Sequence, residues 1–331
     1  MRRALTSIAV LAAAAAAVAG CGGSTPSVGS GGGQATVKVG VLPIADVAPL
    51  YLGMQKGFFK QQKLTIKPQV MQGGAEVTTG VVSGKLDFGF SATEPLIVAK
   101  SKGLPVQIVS QGDQAATSTA QAWDGLMVKA DGSIKTPKDL EGKTIAVNAL
   151  SSMNELCTKA VLAREGVDVS KIKFLEVQFP DQVAALQSGR VDAISAVEPF
   201  VSQAKAAGAR NLLSYFAGLQ PKLTVATYFA TTPFIQKNGG AVMRFAKAMN
   251  KSLAYAQAHP SEARQAVLSY TKIPAKAAQN MKLPYWSKDL NEPSIKLVAG
   301  DTQKFGYAKN APDLNELIWS GATSAGAQTG S

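Results

Sequence analysis

The sequence predicts an α/β protein of two lobes, and three features carry that reading. Ser83-Gly84-Lys85-Leu86-Asp87-Phe88-Gly89-Phe90 is echoed by Ser188-Gly189-Arg190-Val191-Asp192-Ala193-Ile194-Ser195, and each copy runs on to a Glu-Pro pair, Glu94-Pro95 and Glu198-Pro199, with a one-residue slip. The copies follow apolar segments at matching intervals, 50 residues from Val37 to Asp87 and 48 from Thr144 to Asp192. Each reads as a helix end, a glycine cap, a short buried strand, a tight turn and a helix begun with Glu-Pro. Two similarly built halves predict a cleft between them, and small ligands bind at the carboxyl ends of parallel strands.

In the first half, Thr36–Pro43 reads as a strand, Ala48–Lys60 as a helix with the apolar stripe Tyr51, Leu52, Met54 and Phe58, and Leu64–Val70 as a strand. Gly73–Ser83 is a helix, Leu86–Phe90 the third strand, Glu94–Lys102 a helix, and Val106–Ser110 a strand completing a parallel β-α-β run. Gln111–Ala122, polar and small, reads as a crossing segment, after which Leu126–Lys129 begins the second lobe. That lobe repeats the plan: a short helix Pro137–Leu140, strand Thr144–Asn148, helix Ser152–Glu165 closed by Gly166, strand Ile172–Val177, helix Asp181–Ser188, buried strand Val191–Ser195, helix Glu198–Ala207 and edge strand Asn211–Ser214. Leu223–Thr231 alternates strongly and carries the chain back, and the pattern from Pro233 to Trp319 is helical, punctuated by prolines at helix starts. The expected organisation is lobe 1 from 36–112 and 224–320, lobe 2 from 113–223, and a small-residue tail 321–331.

The amino end gives an address. Met1-Arg2-Arg3 is a basic n-region and Leu5–Ala17 an apolar stretch too short to span a bilayer, ending in Val18-Ala19-Gly20-Cys21, which resembles the lipobox of bacterial lipoproteins. The expectation is a signal peptide 1–20, a lipidated Cys21 and a flexible Gly/Ser-rich linker through 35, anchoring the protein to the cell membrane outside the cytosol. Removal of the leader leaves 311 residues, enough for two domains with their own cores.

Composition narrows the function classes. The formal charge is +12, or +10 once Arg2 and Arg3 depart, yet the basic residues are scattered singly, so no nucleic acid is expected as a partner. Cys157 shares a helical apolar stripe with Met153, Leu156, Ala160 and Val161 and reads as core. The single histidine, His259, precedes Pro260 between helices; neither a metal cluster nor a Ser-His-Asp arrangement follows, and no enzyme, cofactor or metal is expected.

Ala48-Pro49-Leu50-Tyr51-Leu52-Gly53 with Lys56-Gly57-Phe58-Phe59 resembles the opening of the periplasmic binding proteins for nitrate, sulfonate and taurine. The likeness continues through Gly73-Gly74-Ala75-Glu76, the first Asp87 joint, Asp139-Leu140-Glu141-Gly142-Lys143-Thr144-Ile145-Ala146, the second joint at Asp192 and Glu198-Pro199-Phe200, covering most of residues 37–231. The resemblance implies a type II periplasmic-binding-protein fold, two α/β lobes joined by two crossing segments. It also implies a monomeric, lipid-anchored receptor that delivers a small solute to the permease of an ABC importer. A sulfonate- or taurine-type solute is favoured, and a thiamine-pyrimidine precursor or similar nitrogen heterocycle is the alternative. The fold is shared with a pyrimidine synthase of thiamine biosynthesis and with menaquinone-route dehydratases. The synthase relies on a histidine and a cysteine-rich stretch without counterpart here.

The expected site follows from the fold: loops after strands and the helix starts beyond them. Gly73 and Gly74 expose backbone N–H groups suited to an anion or carbonyl, and Ser151 and Ser152 open the first helix of lobe 2, where hydroxyls add to such a site. Ser91 and Ala92 follow the third strand. Asp46, Asp124 and Glu198 sit at cleft edges without an evident arginine and favour an amine or ring nitrogen instead. Tyr51, Trp123 and Tyr228, with Thr227, are candidate walls, although Tyr51 also fits the core stripe of its helix.

Overall fold

The computed structural model describes residues 33–322. The leader, Cys21 with its expected lipid, the linker up to residue 32 and the tail from residue 323 lie outside them.

Ten strands run in chain order: β1 Ala35–Val41, β2 Leu64–Val70, β3 Phe88–Ala92, β4 Val106–Gln114, β5 Asp124–Lys129, β6 Thr144–Val147, β7 Lys173–Glu176, β8 Ala193–Val197, β9 Ala209–Leu213 and β10 Thr224–Thr231. The helices are α1 Ala48–Gln55, α2 Phe58–Gln61, α3 Gly74–Val82, α4 Thr93–Ser101, α5 Met153–Arg164, α6 Phe179–Gln187, α7 Phe200–Ala206, α8 Phe216–Leu219, α9 Thr232–Ala258, α10 Pro260–Leu268, α11 Ala275–Asn280, α12 Glu292–Lys304 and α13 Leu314–Leu317. Two five-stranded sheets result, ordered β2-β1-β3-β10-β4 and β7-β6-β8-β5-β9.

The orders are copies of one another. In each sheet two parallel strands flank a third, and the fourth lies antiparallel to both neighbours: β10 against β3 and β4, β5 against β8 and β9. The antiparallel strand is in both cases the one that arrives from the other sheet. Burial explains the strand assignments: Val37, Val39 and Val41 of β1 are fully buried while Thr36 and Lys38 face outward, whereas every residue of β8 is buried.

The echoed motif makes the same joint twice. Asp87 accepts from the Lys38 N–H at 2.7 Å and its own N–H donates to the Lys38 carbonyl at 3.0 Å; Asp192 does the same with Thr144 at 2.8 and 2.9 Å. Gly84 and Gly189 each hold φ 74°, the left-handed turn that ends the preceding helix.

The structure corrects four details. The expected crossing from Gln111 is still strand: β4 continues to Gln114, pairing Gln111 with Thr227 and Asp113 with Ala226 through register shifts. The run is polar yet buried, so its residue types resemble a loop while its pairing makes it strand. Second, β4 does not neighbour β3, since β10 is inserted between them. Third, the helix expected over 48–60 breaks into α1 and α2 at Lys56–Gly57. Fourth, Glu198-Pro199 does not begin a helix. Its peptide bond is cis and α7 starts at Phe200, whereas Glu94-Pro95 lies inside the first turn of α4.

No Cβ added at Gly84 would meet an atom within 4 Å, so substitution there tests backbone conformation alone. Gly84→Ala and Gly189→Ala are each expected to lower stability by about 1 kcal/mol, additively in the double variant because the joints share no partner. Denaturant midpoints at constant slope check this.

Candidate functional site

Between the sheets lies a cavity of about 40 Å³ whose twelve lining residues come from both. Leu42, Ile44 and Asp46 follow β1, Phe90 and Ala92 belong to β3, and Asn148 and Val197 stand at the ends of β6 and β8. Gly74, Asn154, Phe179 and Phe216 come from α3, α5, α6 and α8, and Val225 from β10. The cavity thus sits at the carboxyl ends of four parallel strands, the position open α/β sheets use for ligands. A wider cavity of about 550 Å³ is lined from both sides by Pro43, Val70, Gln72, Pro180, Phe200 and Gln203 with Tyr270–Ile273. A third, of about 280 Å³, lies by the first crossing among Ala116, Thr117, Arg264, Lys282 and Tyr285.

Asp46 is the charged group of the inner cavity. It sits in a 3-10 turn over Ala45–Val47 and is 3% exposed. The turn is pinned from several directions: Tyr270 Oη donates to the Ile44 carbonyl at 2.9 Å, Trp286 Nε1 to the Asp46 carbonyl at 3.4 Å, and the Ala45 N–H to the Glu198 carbonyl at 3.0 Å, a bond that joins the two halves. Tyr51 stacks on Tyr270 at 4.0 Å, steadying the same turn. Behind Asp46 stands the fully buried Asp113, neither of whose side-chain oxygens has a hydrogen-bond partner. Burial pushes both carboxyls up, Asp46 to about 7, and the nearby Asp46 charge raises Asp113 further. One oxygen of Asp46 and the side-chain oxygen of Asn148 remain buried without a donor.

The helix starts around the cleft are already supplied with carboxylates from the chain itself. Glu76 accepts from the Gln72 N–H at 2.8 Å ahead of α3, and Glu155 from the Ser151 N–H at 2.8 Å ahead of α5, where Glu176 takes the Leu150 N–H at 3.3 Å. Glu198 accepts from the N–H and hydroxyl of Ser202 in α7 at 3.0 and 2.9 Å. Asp124 accepts from Ser214 Oγ and from the N–H groups of Tyr215 and Phe216 at 2.7 and 3.0 Å. The Ser202 and Phe216 bonds satisfy N–H groups their helices leave free, those of Gln72, Leu150 and Ser151 hold the chain just ahead of the N-caps, and all set negative charge near the positive dipole end.

The expected site residues divide accordingly. Asp46, Gly74 and Ala92 line the inner cavity. Gly74 has a packing reason as well: a Cβ there would come within 2.7 Å of Ser91 Oγ. Gly73 is the N-cap of α3, and Ser91, fully buried, donates back to the Ala92 carbonyl. Ser152 caps α5 through the Glu155 N–H, while Ser151 is exposed at φ 50°. Trp123 is fully buried, its Nε1 donating to the Gln114 carbonyl at 3.1 Å and its ring against Phe216, so it is core rather than wall. Tyr228 packs on Phe90 and Phe245, and Thr227 is buried beside it. Asp124 and Glu198 are buried and committed to the helix starts above, with Glu198 also taking the Lys282 N–H. The sequence reading missed Asn148, Phe179 and Phe216 as cavity residues. Asn148 carried a usable signal, being the first residue past a parallel strand.

Cys157 is buried and burial pushes its thiol well up, as a core cysteine requires. His259 is exposed, stacked on Tyr255 at 3.8 Å with Nδ1 against the Tyr255 carbonyl. Among the described residues no group of three His, Cys, Asp or Glu is placed to hold a metal, and no helix is long and apolar enough to cross a membrane.

The family described as NMT1/THI5 like matches residues 44–263. The chain is 25% identical over 279 residues to a putative aliphatic sulfonates-binding protein of Bacillus subtilis (strain 168), covering 82% of this chain and 80% of that one. It is 27% identical over 190 residues to the taurine-binding periplasmic protein of Escherichia coli (strain K12), covering 57% of each. Its fold matches the crystal structure of the periplasmic aliphatic sulphonate binding protein SsuA from Escherichia coli with a TM-score of 0.70 at 20% identity, over 86% of this chain and 92% of that one.

The buried acids set a pH dependence. Burial pushes Asp124 to about 6, Asp46 and Glu198 to about 7 and Glu94 to about 8, from ordinary values of 3.8 to 4.5. Between those limits the folded chain binds more protons than the unfolded one, so their stabilisation is complete at low pH and is lost as pH rises through about 6 to 8. The melting temperature of the ligand-free protein is expected to fall from pH 5.5 to pH 8.5; scanning calorimetry showing a rise over that window would contradict the assignment.

Proposed function

This chain belongs to the NMT1/THI5-like family, and on that premise we propose that it is the solute-binding component of an ABC importer, holding a small organic solute of the sulfonate or taurine type between its lobes. The observation that carries this reading is the small cavity at the carboxyl ends of β1, β3, β6 and β8, walled from both halves and bridged by the Ala45–Glu198 backbone bond. A site divided between two bodies binds tightly only when they are together, so occupancy becomes a change of shape that a permease can read. In this proposal lobe 1 comprises 36–112 and 224–320, lobe 2 comprises 113–223, and the crossings ahead of β5 and β10 act as hinges.

The protein binds and releases without turnover. The exposed His259 and the buried, strongly protonated Cys157 supply no activated nucleophile at the cavity. It works outside the cytosol as a monomer, tethered through a lipid on Cys21, with a cognate permease as its partner; the leader and lipobox-like motif support that placement. A nitrogen heterocycle such as a thiamine-pyrimidine precursor is the second reading, favoured by the acceptor-rich lining around Asp46 and Asn148.

Thermal-shift titration of the purified protein against taurine, alkanesulfonates, nitrate and hydroxymethylpyrimidine tests this. A true ligand is expected to raise the melting temperature with dose, by about 2.7 kcal/mol of added stability at a hundredfold excess over Kd, and to be recovered unchanged by mass spectrometry. Conversion of the bound compound would refute the receptor reading.

A further inference from the structure

We propose that the solute held in this cleft carries a protonated nitrogen, seated between the Asp46 carboxylate of one lobe and the Asn148 amide oxygen of the other. The proposal rests on the cleft being the solute site and adds the chemistry of what enters it.

Four observations converge. First, the two polar atoms left without a partner at the cavity are both acceptors, Asp46 Oδ1 and Asn148 Oδ1, on side chains only 3% and 7% exposed. A buried acceptor without a donor costs about 1–3 kcal/mol and more when charged, and donors arriving from two sides remove that cost. Second, none of the twelve lining residues is Lys, Arg or His, so an anion entering here meets no opposite charge. Third, several backbone donors beside the cleft are spent on the chain's own carboxylates. The Gln72, Ser151 and Leu150 N–H groups go to Glu76, Glu155 and Glu176, and the Tyr215 and Phe216 N–H groups go to Asp124. The one lining amide nitrogen with a described bond, Asn154 Nδ2, is committed to the Ser195 carbonyl at 3.2 Å and to Tyr215 Oη at 3.0 Å. Fourth, the remaining walls are apolar, with Phe90, Phe179 and Phe216 among them, and aromatic faces attract cations but repel anions.

The volume of about 40 Å³ suits a compact head of a few non-hydrogen atoms, an ammonium, an amidinium or the amino edge of a ring. The group is therefore a hydrogen-bond donor and a cation. Within the sulfonate class this selects aminosulfonates over plain alkanesulfonates, because only the former bring the nitrogen. Within the heterocycles it selects aminopyrimidines over their hydroxyl counterparts.

Titration calorimetry of the purified protein with matched pairs distinguishes the two sources and tests the shared chemistry. The pairs are taurine against 2-hydroxyethanesulfonate, 4-amino-2-methylpyrimidine against 4-hydroxy-2-methylpyrimidine, and a panel of primary amines and amidines against nitrogen-free isosteres. The member of a binding pair that bears the amino or amidine group is expected to bind at least tenfold more tightly. Asp46→Asn is expected to weaken that binding at least tenfold while leaving the fold intact by circular dichroism, since it removes a buried charge rather than a packed side chain. Asn148→Asp gives the opposite sign, strengthening a cation and weakening an anion. Equal or tighter binding of the members that lack the amino or amidine group, insensitivity to Asp46→Asn, or silence across every amine and amidine overturns the proposal. Binding by nitrogen-free compounds alone leaves the receptor reading standing, whereas turnover of a nitrogen-bearing one sinks that reading and leaves this inference intact.

Discussion

Carboxylates taken out of water govern this cleft. An ionised carboxyl in a low-dielectric interior must be bonded or must hold a proton, and the structure uses both remedies. Asp124 is answered by Ser214 and two backbone N–H groups, and Glu198 by Ser202 and Lys282. Asp46 and Asp113, buried close to each other, are both pushed toward the protonated form. Glu94, with neither oxygen partnered, is pushed to about 8 and stays neutral below that. What survives the pairing is a set of acceptors facing a small cavity, and that remainder decides which molecules the site can hold.

The duplicated topology is what brings those acids together. Each half is closed by a strand lent from the far side of the molecule, β10 to the first sheet and β5 to the second. The loans force the chain to cross twice, and they place the strands' carboxyl ends face to face. The repeated Asp87 and Asp192 joints lock the first and third strands of each half. Bonds from Ala45 to Glu198 and from Tyr307 to Glu155 then stitch residues of the two halves directly.

Much of this was legible in the residues. The echoed motif revealed the two halves because the same backbone joint needs the same glycine and the same aspartate, and Asp46 was found because an acid just past the first strand has few places to go but the cleft. Gln111–Gln114 was misread because a polar run looks like a loop when its burial comes from a strand more than a hundred residues later, Thr224–Thr231. Trp123 and Tyr228 were taken for walls because an aromatic near a crossing looks the same in sequence whether its ring faces ligand or core. Gly73, Gly74, Ser151 and Ser152 suggested an anion site for a sound reason, exposed helix N–H groups. The capture of the neighbouring Gln72 and Ser151 N–H groups by Glu76 and Glu155 depends on side-chain direction, which the spacing permits but does not fix. Phe216 entered the site through tertiary placement alone.

A crystal structure of the protein saturated with its tightest-binding solute tests the account most directly. The account places the solute between the β1 and β6 ends, its nitrogen within hydrogen-bond distance of both Asp46 and Asn148, with the two lobes closed over it. A solute lodged instead in the cavity beside Arg264, Lys282 and Tyr285, or one presenting an anionic group to Asp46, would contradict it.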